Sequence, residues 1–290
     1  MAGVLLQLVV SGIPMGTLYA LIGMSWSLIY YVTGTFHFAH GLIITFAAFM
    51  AVLITKVAGL PVIFGFIVGC LVAAVLGAGI EWGVYRPFRK MGFGQFSIFI
   101  VSMGLTILGT NLMQILLGNR PFRILGFATK SFQIGDVWIT NLELLSLALG
   151  VVTFVALWLY LSKTTAGKTI RAVAVNQDMS EALGINRDAV FISVLAIGSV
   201  IGGLAAILIG INDGVTPFMG TSPLFTAFAV TFLGGIGSIT GAIVGGLLLG
   251  VVQSVALLFV PGGYQGVITF VILVLIIIIK PRGLFSKKRT

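Results

Sequence analysis

His37 and His40 are the only histidines in this chain, and they stand three residues apart, so on a helix they share one face. A pair of imidazoles at that spacing could begin a metal site. Two ligands do not complete a tetrahedral site, however, and no Cys, Asp or Glu lies near them in sequence. The run Leu28 to Gly41 that contains them suggests another use, in which the rings hydrogen-bond backbone groups where a helix breaks, or line a polar route. A second stretch, Ser162-Lys163-Thr164-Thr165-Ala166-Gly167-Lys168-Thr169, has the Gly-Lys-Thr ending of a phosphate-binding loop. It places Ser where that loop needs Gly for its tight turn, and it follows an apolar run instead of a strand, so nucleotide binding is not expected. Cys70, the single cysteine, lies inside an apolar run and reads as an inert buried thiol with no disulfide partner in the chain. No nucleophile and base pair, acid dyad or metal constellation points to an enzyme.

The elements that must hold these residues are long and apolar. Of 290 residues, 59% are hydrophobic and 8% charged, against roughly 45–50% and 25% in a soluble domain. The first charge is Lys56, and later charges fall in short clusters between Gly-rich apolar stretches such as Val4 to Tyr31, Ile43 to Thr55 and Ala189 to Ile211. At 1.5 Å per residue most of these can cross a hydrocarbon core of roughly 30 Å. The expected fold is an all-α polytopic membrane protein of about eight long transmembrane helices plus one short or broken helix. With no Pro/Ser-rich linker, residues 1–290 read as a single transmembrane domain. The N-terminus lacks the positive region of a secretory signal and is expected to be the first span.

The net charge of +9 does not imply nucleic acid, because the basic residues cap the ends of apolar spans. Taking the basic loop around Lys163 to Arg187 as cytoplasmic puts twelve Lys and Arg inside. Only Lys56, Arg120, Arg123 and Lys130 remain outside. This predicts an outside N-terminus and a cytoplasmic C-terminus, and the loop 119–140 faces outside. Parity then requires one more crossing, for which Pro223 to Gly234 is the candidate, too short for an ordinary span.

Twice an apolar run is interrupted by small residues and then resumes. The first interruption carries His37, Phe38, His40 and Gly41; the second carries Gly234, Gly235, Gly237 and Ser238. Broken helices free backbone groups that only a protein cavity or water can satisfy, so these eight residues are the candidates for a translocation route. Gly241 to Gly250 is better explained by close helix packing. Glu81 and Glu143 are expected at span ends near the interface, and with no acid in mid-span a proton-coupled carrier is disfavoured. The loop 163–188 reads as helix, turn, helix. Ile170, Val173 and Ala174 form an apolar face suited to a cytoplasmic partner, Asp178 is a possible cap and Gly184 a helix end.

The residues Thr165 to Ala174 followed by Glu181-Ala182-Leu183-Gly184-Ile185 resemble the loop of the branched-chain amino-acid permease family of bacterial ABC importers, in its shorter first-subunit form. Phe38-Ala39-His40-Gly41, Tyr85-Arg86-Pro87-Phe88-Arg89, Leu233 to Ser238 and Lys280-Pro281-Arg282-Gly283-Leu284-Phe285 are similar as well, in family order. Members often have Asn at His37 and commonly Arg at Trp82, so the chain departs from the pattern there. The resemblance implies an ABC importer permease fold in the bacterial inner membrane, with no cofactor in this chain and ATP bound by partner subunits. It implies four partners: a second homologous permease or second copy of this one, two cytoplasmic ATPases and an extracytoplasmic solute-binding protein. Arg171, Glu181, Ala182 and Gly184 would belong to the ATPase-coupling loop. The implied solute is a branched-chain amino acid; relatives of this fold also move urea, short amides and other small organic solutes. The competing class is a self-sufficient carrier or channel.

Overall fold

The computed structural model describes residues 2–280 and 283–284, and among them the chain is almost wholly helical. In chain order the elements are α1 (Ala2–Thr33), α2 (His40–Val52) with a π turn Leu53–Val57, and α3 (Val62–Ile80). A second π turn (Glu81–Tyr85) carries α3 into α4 (Arg86–Lys90), and α5 (Gln95–Leu117) follows. Next come β1 (Ser131–Ile134), β2 (Val137–Thr140), α6 (Asn141–Lys163), α7 (Thr165–Val175), α8 (Gln177–Ala182), α9 (Arg187–Asp213), α10 (Thr221–Gly234), α11 (Ile239–Ala256) and α12 (Gln265–Ile279). Among the described residues eight helices are long and apolar enough to cross a membrane, and α10 is a shorter apolar helix of 14 residues. This is a polytopic α-helical membrane fold, as expected.

The chain divides into two compact units, Met1–Ser27 with Phe127–Thr153 and the chain from Ser222 on, and Leu28–Gly126 with Phe154–Thr221. In the second unit α2, α3 and α9 form the core. The buried residues of α3 are Gly65, Gly69, Ala73 and Gly77, one every fourth position, while Ile63, Phe64, Ile67, Leu71 and Val75 are exposed. Lipid tails are as apolar as Leu, so helices associate in a membrane through close packing of small residues, and that stripe is the packing face. A methyl added at Gly69 would lie 2.6 Å from the Ala47 carbonyl oxygen, and one at Gly203 would lie 3.0 Å from Ala73.

In the first unit the same device joins α1 to α11. Gly12, Gly16 and Ala20 meet Gly246, Gly250 and the backbone of Leu247 and Val251, so that a methyl at Gly12 or Gly16 would lie 2.7 Å from a Cα of α11. The expected close packing of Gly241 to Gly250 is therefore present, with Gly241, Gly245, Gly246 and Gly250 all against neighbouring backbone. Ser254 adds a hydrogen bond to the Leu8 carbonyl at 2.6 Å. Gln253 bonds both the Tyr19 hydroxyl (2.6 Å) and Thr269 of α12.

The loop 119–140 holds a feature the sequence reading lacked. β1 and β2 pair antiparallel, Gln133 opposite Trp138, across a two-residue turn in which Gly135 has φ +63°. Gly-Asp between two alternating segments is a recognised hairpin signal. The outer edge of β2 is closed by Gln7 of α1, whose amide accepts from Trp138 N (2.8 Å) and donates to Trp138 O (2.9 Å). Thr140 then starts α6 in a capping box: its N–H and hydroxyl donate to Glu143 (2.7 and 2.9 Å), and its hydroxyl accepts from Glu143 N (3.1 Å).

Candidate functional site

The first expected break exists, between α1 and α2 in the second unit. α1 stops at Gly34, whose N–H still reaches the Tyr30 carbonyl (2.8 Å) while its φ of +69° turns the chain out of the helix. The Thr33 hydroxyl accepts from Thr35 N (3.1 Å). Ser102 of α5 receives the Phe38 N–H (3.2 Å), replacing the helical partner that this amide has lost. Phe38 and Phe36 both pack edge-on against Phe99. Gly41 lies against the backbone of Gly220, whose N–H bonds the Thr45 hydroxyl (3.1 Å). His40 opens α2 and packs on Gly202, where a methyl would come within 2.7 Å of the ring.

His37 is fully buried and its Nδ1 pairs with the Tyr85 hydroxyl at 2.8 Å. Its Nε2 has no hydrogen-bond partner, and neither has the buried Ser199 hydroxyl of α9. An unpaired buried polar atom costs about 1–3 kcal/mol, which is tolerated where water or a solute completes the site. The two histidine rings stand 5.6 Å apart, and among the described residues no group of three His, Cys, Asp or Glu comes together as metal ligands would.

The second break, in the first unit, separates α10 from α11. Gly235 (φ +97°) and Gly237 (φ +81°) occupy left-handed backbone that glycine adopts at least cost, and Ser238 caps α11 by accepting from Gly241 N at 2.9 Å. Gly234 sits back to back with Gly241, so that a methyl on either would strike the other's carbonyl group. It joins two helices. The Leu284 N–H folds back to the Leu233 carbonyl (2.8 Å); Arg282 and Phe285 of the tail lie outside the described residues.

The run that resembles a phosphate loop forms the end of α6 and the start of α7. Thr164 caps α7 by accepting from Gly167 N (2.9 Å), and Gly167 lies against the backbone of Tyr160 and Leu161. The expected partner-facing side of α7 is corrected here: Ile170, Val173 and Ala174 are buried in the chain's own fold, where α7 packs on α9. The large exposed apolar residues of the loop are Val175, Met179 and Leu183, one every four positions across the α7–α8 elbow. Asn176, and not Asp178, caps α8 by accepting from Met179 N (2.9 Å); an Asn side chain one residue before the helix reaches that amide. Gly184 ends α8 with φ +84°. Its N–H bonds the Glu181 carbonyl (2.9 Å) and Ile185 N bonds Ser180 O (3.0 Å), the paired closure of a Schellman motif. Gln177 donates to the Val32 carbonyl of α1 (3.1 Å), just before the first break.

Glu81 is the second correction. Instead of lying at an interface it is buried, because α3 runs on through the π turn to Lys90. Its carboxylate accepts from Arg89, whose guanidinium also lies over the Phe191 ring of α9 at 4.7 Å. Arg86 donates to Asp188 (2.6 Å), and Arg187 lies 3.5 Å from Glu181 of α8. Spacing alone does not announce these pairs. The signal in the sequence was the excess of Arg near Glu81, read only for topology.

A polytopic helical protein with two interrupted helices has the architecture of a membrane permease. The family profile described as branched-chain amino acid transport system / permease component matches residues 8–277, and the chain belongs to this family. It is 29% identical to the high-affinity branched-chain amino acid transport system permease protein LivH of Salmonella typhimurium, over 97% of this chain and 96% of that one. It is 30% identical, with the same coverage, to the corresponding permease BraD of Pseudomonas aeruginosa. Among solved structures, PsaBC from Streptococcus pneumoniae in complex with Fab shares the fold at a TM-score of 0.51 and 16% identity, covering 94% of this chain and 91% of that one.

Proposed function

We propose that this chain provides the translocation route for branched-chain amino acids in an importer of the bacterial inner membrane, driven by ATP bound on separate subunits. The observation that carries the reading is the pair of helix interruptions in a chain of this family. In the first of them, the buried His37 Nε2 is free to meet a polar group passing through the bilayer. The proposed lining residues are His37 to Gly41 in one unit and, taken by itself, the turn Gly235 to Ser238 in the other. Gly234 contributes by holding α10 on α11. On this reading ATP is bound by the partner subunits, because Gly167-Lys168-Thr169 follows helix α6 instead of a strand and the Gly167 N–H is taken by the Thr164 hydroxyl. A second permease subunit, two ATPases and a solute-binding protein complete the assembly.

The α7–α8 elbow is the ATPase-docking segment. Val175, Met179 and Leu183 supply its apolar contact and Arg171 and Glu181 its polar rim, while Ala182 and Gly184 end the short helix. On this reading the elbow and the C-terminus lie in the cytoplasm and the loop 119–140 outside, and the Lys and Arg distribution supports it.

Proteoliposomes carrying the complete complex test the reading, with the binding protein outside, ATP inside and labelled leucine as solute. Leucine accumulates only with ATP present, and valine and isoleucine compete while urea and short amides do not. Uptake at full rate without ATP would replace the importer with a self-sufficient carrier.

A further inference from the structure

The Tyr85-Arg86-Pro87-Phe88-Arg89 run has no part in the function proposed above, yet it begins at a rare element. The π turn Glu81–Tyr85 holds one residue more than an α turn, closed by Arg86 N bonding the Glu81 carbonyl. Pro87 accounts for it locally. Proline has no N–H, and its ring crowds the carbonyl four residues back, at Gly83, so widening the turn relieves the crowding.

Both ends of the turn are buried and both are tied down. Tyr85, at its last residue, holds His37 in the first break (2.8 Å). Glu81, at its first, is bound to Arg89, and a buried carboxylate that lost this partner would be strongly destabilised. Beside that pair Arg86 grips Asp188 at the start of α9, and the preceding residue, Arg187, contacts Glu181 of α8. The elbow thus reaches the first break by two connections inside one unit. One is direct, Gln177 to Val32; the other runs through Glu181, Arg187, Asp188, Arg86 and the π turn to Tyr85.

We propose that the π turn Glu81–Tyr85 is the joint through which displacement of the α8 elbow moves His37, with Tyr85 as the positioning residue. A π turn is a discrete element: shifting its extra residue by one position rotates the side chains it passes by about 100°, enough to carry the Tyr85 hydroxyl off His37. Such a two-arrangement element is what transmission between separated sites requires. The ion pair of Arg86 with Asp188 ties the turn to α9, so a shift of the elbow and α9 bears directly on the turn. The inference rests on the importer reading given above.

The test compares variants of the complete reconstituted complex by leucine moved per ATP hydrolysed, alongside the amount of assembled complex. Tyr85→Phe keeps the ring and removes only the hydroxyl. We expect the ratio to fall about five- to tenfold, the weight of one hydrogen bond, at an unchanged amount of complex. Arg86→Asp and Asp188→Arg each lower the ratio, and the double exchange restores it. A purely structural role would lower the amount of complex and leave the ratio at the parental value. Tyr85→Phe at the parental ratio, or single losses that the exchange does not recover, overturns the inference alone. A parental complex whose ATP hydrolysis does not respond to leucine-loaded binding protein overturns the importer reading and this inference with it.

Discussion

At Gly234 one absent methyl group sets the distance between two helices. Because Gly234 and Gly241 share backbone contact, neither has room to give, and overpacking of this kind costs about 1–3 kcal/mol or more where backbone must move. Gly234→Leu is expected to lower the melting temperature of the purified protein and its yield together. Gly235→Ala should lose the left-handed preference, about 1–2 kcal/mol, at a buried position whose backbone Gly283 also approaches closely. A Gly234→Leu protein that melts like the parent but fails to transport would return this residue to the lining of the route. Gln7 acts at the same scale with a smaller stake. Its amide closes the edge of β2, but Gln7 and Trp138 are accessible to water, so Gln7→Ala should cost only about 0.5–1.5 kcal/mol. Limited proteolysis should then show faster cleavage at Gly135-Asp136, and an unchanged rate would mean the hairpin holds itself.

The elbow is an element whose shape comes from its ends. Thr164, Asn176 and Asn186 cap three successive helices, and Gly184 turns the chain between the last two. Asn176→Ala should remove about 1 kcal/mol from α8, and Gly184→Val should misdirect the turn more severely. Both are expected to lower the stimulation of ATP hydrolysis by loaded binding protein while solute capture by that protein stays the same. Met179→Ser with Leu183→Ser should loosen ATPase copurification without shifting the melting temperature, since both side chains are exposed. Full stimulation in all these variants would make the elbow a plain connection. The two breaks and the end at Gly184 were legible because glycine and small residues have few other reasons to interrupt an apolar run. The use of α7's apolar face was not, because periodicity shows that Ile170 and Val173 share a side but not what covers it. Nor could spacing tell that Glu81 pairs with Arg89: eight residues apart on a regular helix they lie two turns from each other, and only the π turn and the burial explain the bond.

For the whole molecule the charge distribution makes the sharpest prediction. In a Cys70-free background, cysteine at Arg123 should be labelled by an impermeant reagent from outside sealed cells, and cysteine at Lys168 only after permeabilisation. Equal labelling of both would reject the orientation. The span count was legible because length and apolarity are local properties, whereas the arrangement of spans depends on small-residue seams whose partners lie far along the chain. The seam between α1 and α11 shows how far: Ser254 and Leu8, which bond across it, are separated by 246 positions. At a synthesis rate of roughly 5–20 residues per second, the first span waits about 12 to 50 s for its neighbour to emerge from the ribosome. Throughout that interval Gly12, Gly16 and Ala20 face lipid or the insertion machinery instead of α11. A newborn helix left alone for so long must be content in the bilayer on its own composition, and the absence of any charge before Lys56 is what that solitude demands.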